Sequence, residues 1–244
     1  MLLALFLIDT GAGLYLFLPL IGRRNAGVKF YRLILIVSGA LAAAAAIALA
    51  LAGRMAIAGA VVAALTAIVY VTLRYPKRLV FRVPAVLLGL AWLGAAVWQW
   101  HASTGASLPW SIAGALSSIA LLGSVNDAML LGHWYLVVRG MSIDPLKRLA
   151  VATLCAALVR SGIVVAALAM PGAWQSIAIR EGIFFWMRAG WGLIGPLALY
   201  PMVWGTVKIR STMAATGILY VDVVAVVIGE VLGGWLAAVA HLPV

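Results

Sequence analysis

Apolar residues run along this chain in stretches of about twenty, separated by short polar punctuation. The stretches fall at 2–21, 31–52, 55–74, 79–100, 110–139, 149–170, 183–206 and 213–240. At about 1.5 Å per residue, each is long enough as a helix to cross a hydrocarbon core about 30 Å thick. The connections are as short as Gly53-Arg54 and Met141-Ser142-Ile143-Asp144-Pro145, so no soluble domain fits between them. The longest outer one, about Pro171 to Gly182, has room for a short interfacial helix. The pattern predicts an all-α fold: a polytopic transmembrane helix bundle of about eight spans, forming one domain over residues 1–244.

Composition agrees. Of 244 residues, 66% are hydrophobic and 9% charged, with a mean hydropathy of +1.16, whereas a soluble domain carries about a quarter charged residues. The net charge of +11 suggests nucleic acid only until the basic residues are placed. Arg23, Arg24, Lys29 and Arg32 follow span 1, and Arg74, Lys77, Arg78 and Arg82 surround the turn between spans 3 and 4. Arg139, Lys147 and Arg148 follow span 5, and Lys208 and Arg210 follow span 7; the alternate connections hold only Arg54 and Arg180. That alternation is a topology signal. It predicts cytoplasmic basic loops, both termini on the outer, periplasmic side, and a multi-pass protein of the cell inner membrane whose surroundings are lipid rather than nucleic acid.

The N-terminal Met-Leu-Leu-Ala-Leu-Phe-Leu-Ile-Asp has no basic region before its apolar run and reads as a retained span rather than a signal peptide. The single cysteine, Cys155, excludes an intrachain disulfide and a CxxC motif. Trp98, Trp100, Trp110, Trp174, Trp186 and Trp235 map to the outer boundary, against Trp134 and Trp204 toward the cytoplasm. They read as an interfacial belt or, given the imbalance, as an aromatic platform for a partner subunit, a quinone or a pigment.

Ionisable residues inside apolar spans cost several kcal/mol each and mark function or pairing. Counted from the cytoplasmic ends of their spans, Asp9, Asp127, Arg160 and Asp222 fall in one layer near the midplane, a charge layer or proton relay. Asp127 is placed to meet Arg160, as a packing ion pair or as part of that relay. Three acids against one arginine leave at least one acid unpaired or protonated, and a neutral buried carboxyl is able to carry protons. Nearer the outer face, Arg188 and Glu230 lie at similar depths and can pair, or Arg188 can hold an anionic head group. Asn126 and His133 share a face of span 5 with Gly123 and are candidate ligand or quinone contacts, alongside Arg188 and Glu230. Gly229 and Gly233 carry the small-xxx-small spacing of close helix approach, and Pro196 and Pro201 should kink span 7. Asp9 and Asp127 each precede a Tyr-Leu pair (Tyr15-Leu16 and Tyr135-Leu136), which suggests a parallel four-plus-four duplication.

The three histidines limit cofactors. His133 has no histidine at its own level, so a bis-histidine haem is disfavoured, while His101 and His241 share the outer level and are the one pair able to hold haem or a metal. No GxSxG, HExxH, Walker A loop or Cys/His cluster appears, which sets aside those hydrolases, metalloenzymes and ATPases. Span number and outer termini resemble, in topology, the eight-span membrane anchors of dimethyl sulfoxide and polysulfide reductases. Such a resemblance implies a membrane subunit of an electron-transfer complex, respiratory or photosynthetic, that contacts quinone near the outer leaflet against a peripheral iron–sulfur subunit. No residue motif is shared, so no site is carried over from it. The alternatives are a small transporter using the midplane carboxylates and a structural subunit of a larger assembly.

Overall fold

The computed structural model describes residues 1–75, 79–138 and 140–244; Lys77, Arg78 and Arg139, used above for orientation, lie outside the described residues. The protein is all-α, 87% helical. Its helices are α1 (Leu2–Ile21), α2 (Arg23–Leu51), α3 (Ile57–Thr72), α4 (Leu79–Thr104), α5 (Leu108–Val137), α6 (Asp144–Leu168), α7 (Gly182–Lys208) and α8 (Thr212–Ala240). All except α3 are long and apolar enough to cross a membrane, as expected of a multi-pass membrane protein. The sixteen residues of α3 reach only about 24 Å, short of a core about 30 Å thick.

Two helices are enclosed. Every residue from Ile8 to Leu14 of α1 is buried, as is every residue from Leu121 to Val125 of α5. They cross at Gly13 and Gly123, where a Cβ on Gly13 would lie 2.5 Å from Gly123 Cα and 2.7 Å from the Ile119 carbonyl oxygen. In lipid there is little hydrophobic drive between helices, so backbone proximity supplies the packing energy, and only glycine permits it here. Around this seam the neighbours form two rings: α1, α2, α3 and α4 on one side, and α5, α6, α7 and α8 on the other. The crossing aligns residue 13 with residue 123, so Asp9 falls beside residues 118–119 and not beside Asp127. The rings are a four-plus-four arrangement, but the Asp-Tyr-Leu correspondence is out of register with it.

Proline and glycine explain the irregular points. Gly27 (φ 78) breaks α2 near its start. Residues Gly190–Ile194 of α7 form a π-helical turn immediately before Pro196, because proline has no N–H to continue the ladder and its ring displaces the preceding turn. A further π-helical segment, Trp174–Ile179, occupies the connection from α6 to α7. Gly123→Ala is expected to lower unfolding stability by about 1–3 kcal/mol through overpacking, measured by thermal unfolding in detergent. Gly94→Ala, where an added Cβ meets nothing within 4 Å, should leave the midpoint unchanged.

Candidate functional site

Three helices of the second ring bring their charges to one point. Glu230 of α8 accepts two hydrogen bonds from Arg160 of α6, Nε to Oε1 at 3.1 Å and Nη2 to Oε2 at 3.0 Å, in a bidentate fork. It accepts a third from Arg188 Nη2 of α7, to Oε1 at 2.8 Å. The three side chains are 0–2% exposed. Arg160 also donates from Nη1 to Ser117 Oγ at 3.2 Å, and its guanidinium lies 5.5 Å from the Trp100 ring centroid. Trp100 Nε1 in turn donates to Asp9 Oδ2 at 2.7 Å. Ser118 lies close to both Asp9 and Glu230. The cluster thus draws on α1, α4, α5, α6, α7 and α8, and sets two guanidiniums against two carboxyls.

Space for Arg188 comes from glycine. Gly192 is one turn beyond Arg188 on α7, and Gly229 and Gly233 are one turn apart on α8; a Cβ at any of the three would collide with the Arg188 guanidinium. The small-xxx-small spacing therefore admits a charged side chain as well as a neighbouring helix. Two side chains of the cluster keep unused capacity: Asp9 Oδ1, and Nε and Nη1 of Arg188, are buried without a hydrogen-bond partner among the described residues.

Against this cluster lies a cavity of about 520 Å³. Its walls are apolar, from Leu2, Leu5, Phe6, Phe184, Val231 and Trp235, and its polar lining is Asp9, Trp100, Ser118 and Glu230. Leu3 and Val231, both exposed, also line it, so its rim opens to the surroundings of the bundle. An apolar chamber with a few convergent polar groups suits a lipophilic ligand that carries a hydrogen-bonding head.

The layer of Asp9, Asp127, Arg160 and Asp222 divides in two. Asp9 and Arg160 join Glu230 and Arg188; Asp127 lies nine residues along α5 from Ser118, and Asp222 eight residues along α8 from Glu230, about 12–14 Å away. Counting from span ends failed for two reasons. Helix α6 begins at Asp144 rather than 149 and takes in Lys147 and Arg148, so Arg160 lies further from the helix end than the span boundary implied, and the Gly13–Gly123 crossing shifts α1 against α5. The Asp127–Arg160 ion pair does not form, since Arg160 is committed to Glu230. Asp127 is fully buried with neither carboxyl oxygen partnered, and Asp222 Oδ1 is likewise without a partner among the described residues.

Asn126 and His133 stay outside the cluster. Asn126 donates from Nδ2 to Leu122 O of its own helix at 2.8 Å. His133 is exposed, with Nδ1 3.5 Å from the Tyr220 hydroxyl of α8. His101 and His241 each turn Nδ1 to a backbone oxygen, of Ala106 and Thr104 respectively, and no cluster of three metal-ligating side chains occurs among the described residues.

Sequence reading named Trp100 only among the outer-boundary tryptophans and missed Ser117 and Ser118. Trp98 and Trp100 look alike in a Trp-Gln-Trp run, but two residues on a helix are about 200° apart; Trp98 is 58% exposed and Trp100 is 1% exposed. Trp100 is therefore a member of the cluster and not of an interfacial belt. No family model matches this chain, and neither a curated protein nor a solved structure does.

Glu230→Gln leaves two guanidiniums without their carboxylate and is expected to cost about 3–5 kcal/mol, read as a lower unfolding midpoint. The combined replacement Arg160→Met, Arg188→Met and Glu230→Leu should restore a midpoint near that of the parent. A triple variant that folds yet loses ligand binding assigns the cluster to function rather than to packing.

Proposed function

We propose that the chain is an eight-span integral membrane protein, its short α3 crossing where the bilayer thins around it, with both termini outside and its basic loops in the cytoplasm. In this reading it is a subunit of an electron-transfer complex that holds a quinone in the cavity beside Asp9 and Glu230. The observation that carries this reading is the cavity itself: apolar walls and an apolar rim around a polar end, at the end of the bundle opposite the basic loops. A quinone has the matching shape, an isoprenoid tail for the apolar walls and a ring whose oxygens need hydrogen-bonding partners.

The chain's own residues can orient the ring and handle its protons. Oxidation of a quinol to a quinone releases two protons and two electrons. Asp9 Oδ1, which accepts no hydrogen bond among the described residues, is the acceptor for one quinol hydroxyl and for its proton, and the second proton passes to water at the outer mouth of the cavity. Ser118 offers a hydroxyl to the ring, and the Arg160–Glu230–Arg188 network fixes the neighbouring carboxylate in place. The electrons leave to a redox subunit docked at the outer face, consistent with the exposed Trp174 and Trp186, which pack edge to face at 6.4 Å between centroids.

Titrating the purified protein with a short-tailed ubiquinone or menaquinone analogue, followed by tryptophan quenching, should give saturable binding at about micromolar concentrations. Leu5→Trp, which fills the cavity, and Asp9→Asn, which alters its polar end, should each weaken binding at least about tenfold, equivalent to about 1.4 kcal/mol. Leu90→Trp, on an exposed surface of α4, should not. Absence of saturation in the parent protein, or unchanged binding to the filled cavity, sinks the quinone reading.

Asp127 favours a second reading, that of a small ion-coupled transporter. A fully buried carboxyl with both oxygens unpartnered is the arrangement of a proton- or cation-coupling group. Asp127→Asn is then expected to fold normally and abolish proton or sodium uptake in reconstituted vesicles. Uptake equal to that of the parent excludes this role.

A further inference from the structure

A second cavity, of about 560 Å³, lies at the basic end of the first ring, between α1, α2, α3 and α4. Its walls are almost wholly apolar, with Leu16, Pro19, Leu35, Leu73, Phe81 and Val86 among them. Three lining residues carry polar side chains: Tyr15, Tyr31 and Arg23. Both hydroxyls are already committed, Tyr15 donating to Ala85 O at 2.7 Å and Tyr31 to Leu18 O at 2.9 Å. Arg23 is not: its Nη1 is buried and has no partner among the described residues. The residue is held there by Gly22, whose φ of 74 turns the chain sharply from α1 into α2.

A guanidinium facing an apolar chamber needs a counter-charge, and the chamber needs hydrocarbon. We infer that this cavity is a binding site for one phospholipid with an anionic head group, its phosphate on Arg23 and an acyl chain along the groove between α1 and α4. Three further features fit that occupant. Arg74 and Arg82 are exposed and directly follow the wall residues Leu73 and Phe81, so two further positive charges stand on the segments that form the cavity wall, though neither lines it. Basic pockets between helices at the cytoplasmic boundary are where anionic lipid head groups are held. Gly89 lines the groove, and an added Cβ there would make ordinary contacts with Leu16 and Tyr15, at 3.7 and 3.8 Å, so only a much larger side chain at this position would fill the groove. The bidentate fork of an arginine suits a phosphodiester better than a lysine would.

The site is separate from the cavity beside Asp9 and does not depend on what that cavity binds. Native mass spectrometry of the purified protein, exchanged against phosphatidylglycerol or phosphatidylcholine, tests it with two variants of different kinds. Phosphatidylglycerol should bind with a preference of at least about tenfold over phosphatidylcholine. Arg23→Gln should abolish that preference, and Gly89→Phe should reduce retention of both lipids while leaving Arg23 in place; the thermal unfolding midpoint of the same samples monitors folding independently. Equal binding of the two lipids, or an unchanged preference in Arg23→Gln, overturns the assignment. Inorganic phosphate displacing the lipid at millimolar concentration, with Gly89→Phe still binding it, overturns it in favour of a free-anion site.

Discussion

Glu230 is the only carboxylate within hydrogen-bonding reach of Arg160 and Arg188 among the described residues, and all three are buried in a chain whose surface is mostly hydrocarbon. Taking such charges out of water costs several kcal/mol per ion, and attraction repays it only when geometry is good and the remaining protons are satisfied. This constraint reaches far beyond the three residues. It demands Ser117 as a further acceptor for Arg160, the Trp100 face alongside its guanidinium, and glycines at 192, 229 and 233 to let Arg188 reach across α7 and α8. Through Trp100 it also engages Asp9, so that α1 and α4 of the first ring are tied to the charges of the second.

The other organising element is steric. Gly13 and Gly123 let α1 and α5 touch backbone to backbone, and this sets the relative height of everything the two helices carry. Had the crossing fallen a turn or two nearer the N-terminus of α1, Asp9 would stand nearer Asp127, and the cavity would lose one of its carboxyls. The glycine seam and the charge cluster therefore specify one another: the seam sets the level, and the cluster makes a slipped level costly.

Much of the fold was legible because lipid imposes a simple rule, that backbone polar groups be satisfied within each span. Runs of about twenty apolar residues consequently marked most helix ends to within a few residues, although α2 and α6 begin at Arg23 and Asp144 rather than at 31 and 149, and Pro196 marked the irregular turn in α7. The site was only partly legible. Asp9, Arg160, Arg188 and Glu230 stood out as costly residues in apolar surroundings, but their grouping depended on helix lengths and on one crossing point, neither of which periodicity encodes. The earlier start of α6, at Asp144 rather than 149, changed the depth assigned to Arg160, which meets Glu230 and not Asp127. Trp100 was grouped with the outer-boundary tryptophans rather than with the charges, since an aromatic residue at a helix end has an ordinary interfacial explanation and its direction depends on neighbours distant in sequence.

Because synthesis proceeds from the N-terminus, the two guanidiniums of α6 and α7 enter the bilayer before the carboxylate that neutralises them. Until α8 arrives, the nascent protein holds Arg160 and Arg188 in hydrocarbon without Glu230, a state costly enough to keep those helices tilted, partly inserted or in the care of insertion machinery. Arrival of α8 then does more than add one helix. It acts as a latch that commits its predecessors to their final depth, so the chain carries within its own charge order a checkpoint on whether its assembly has been completed.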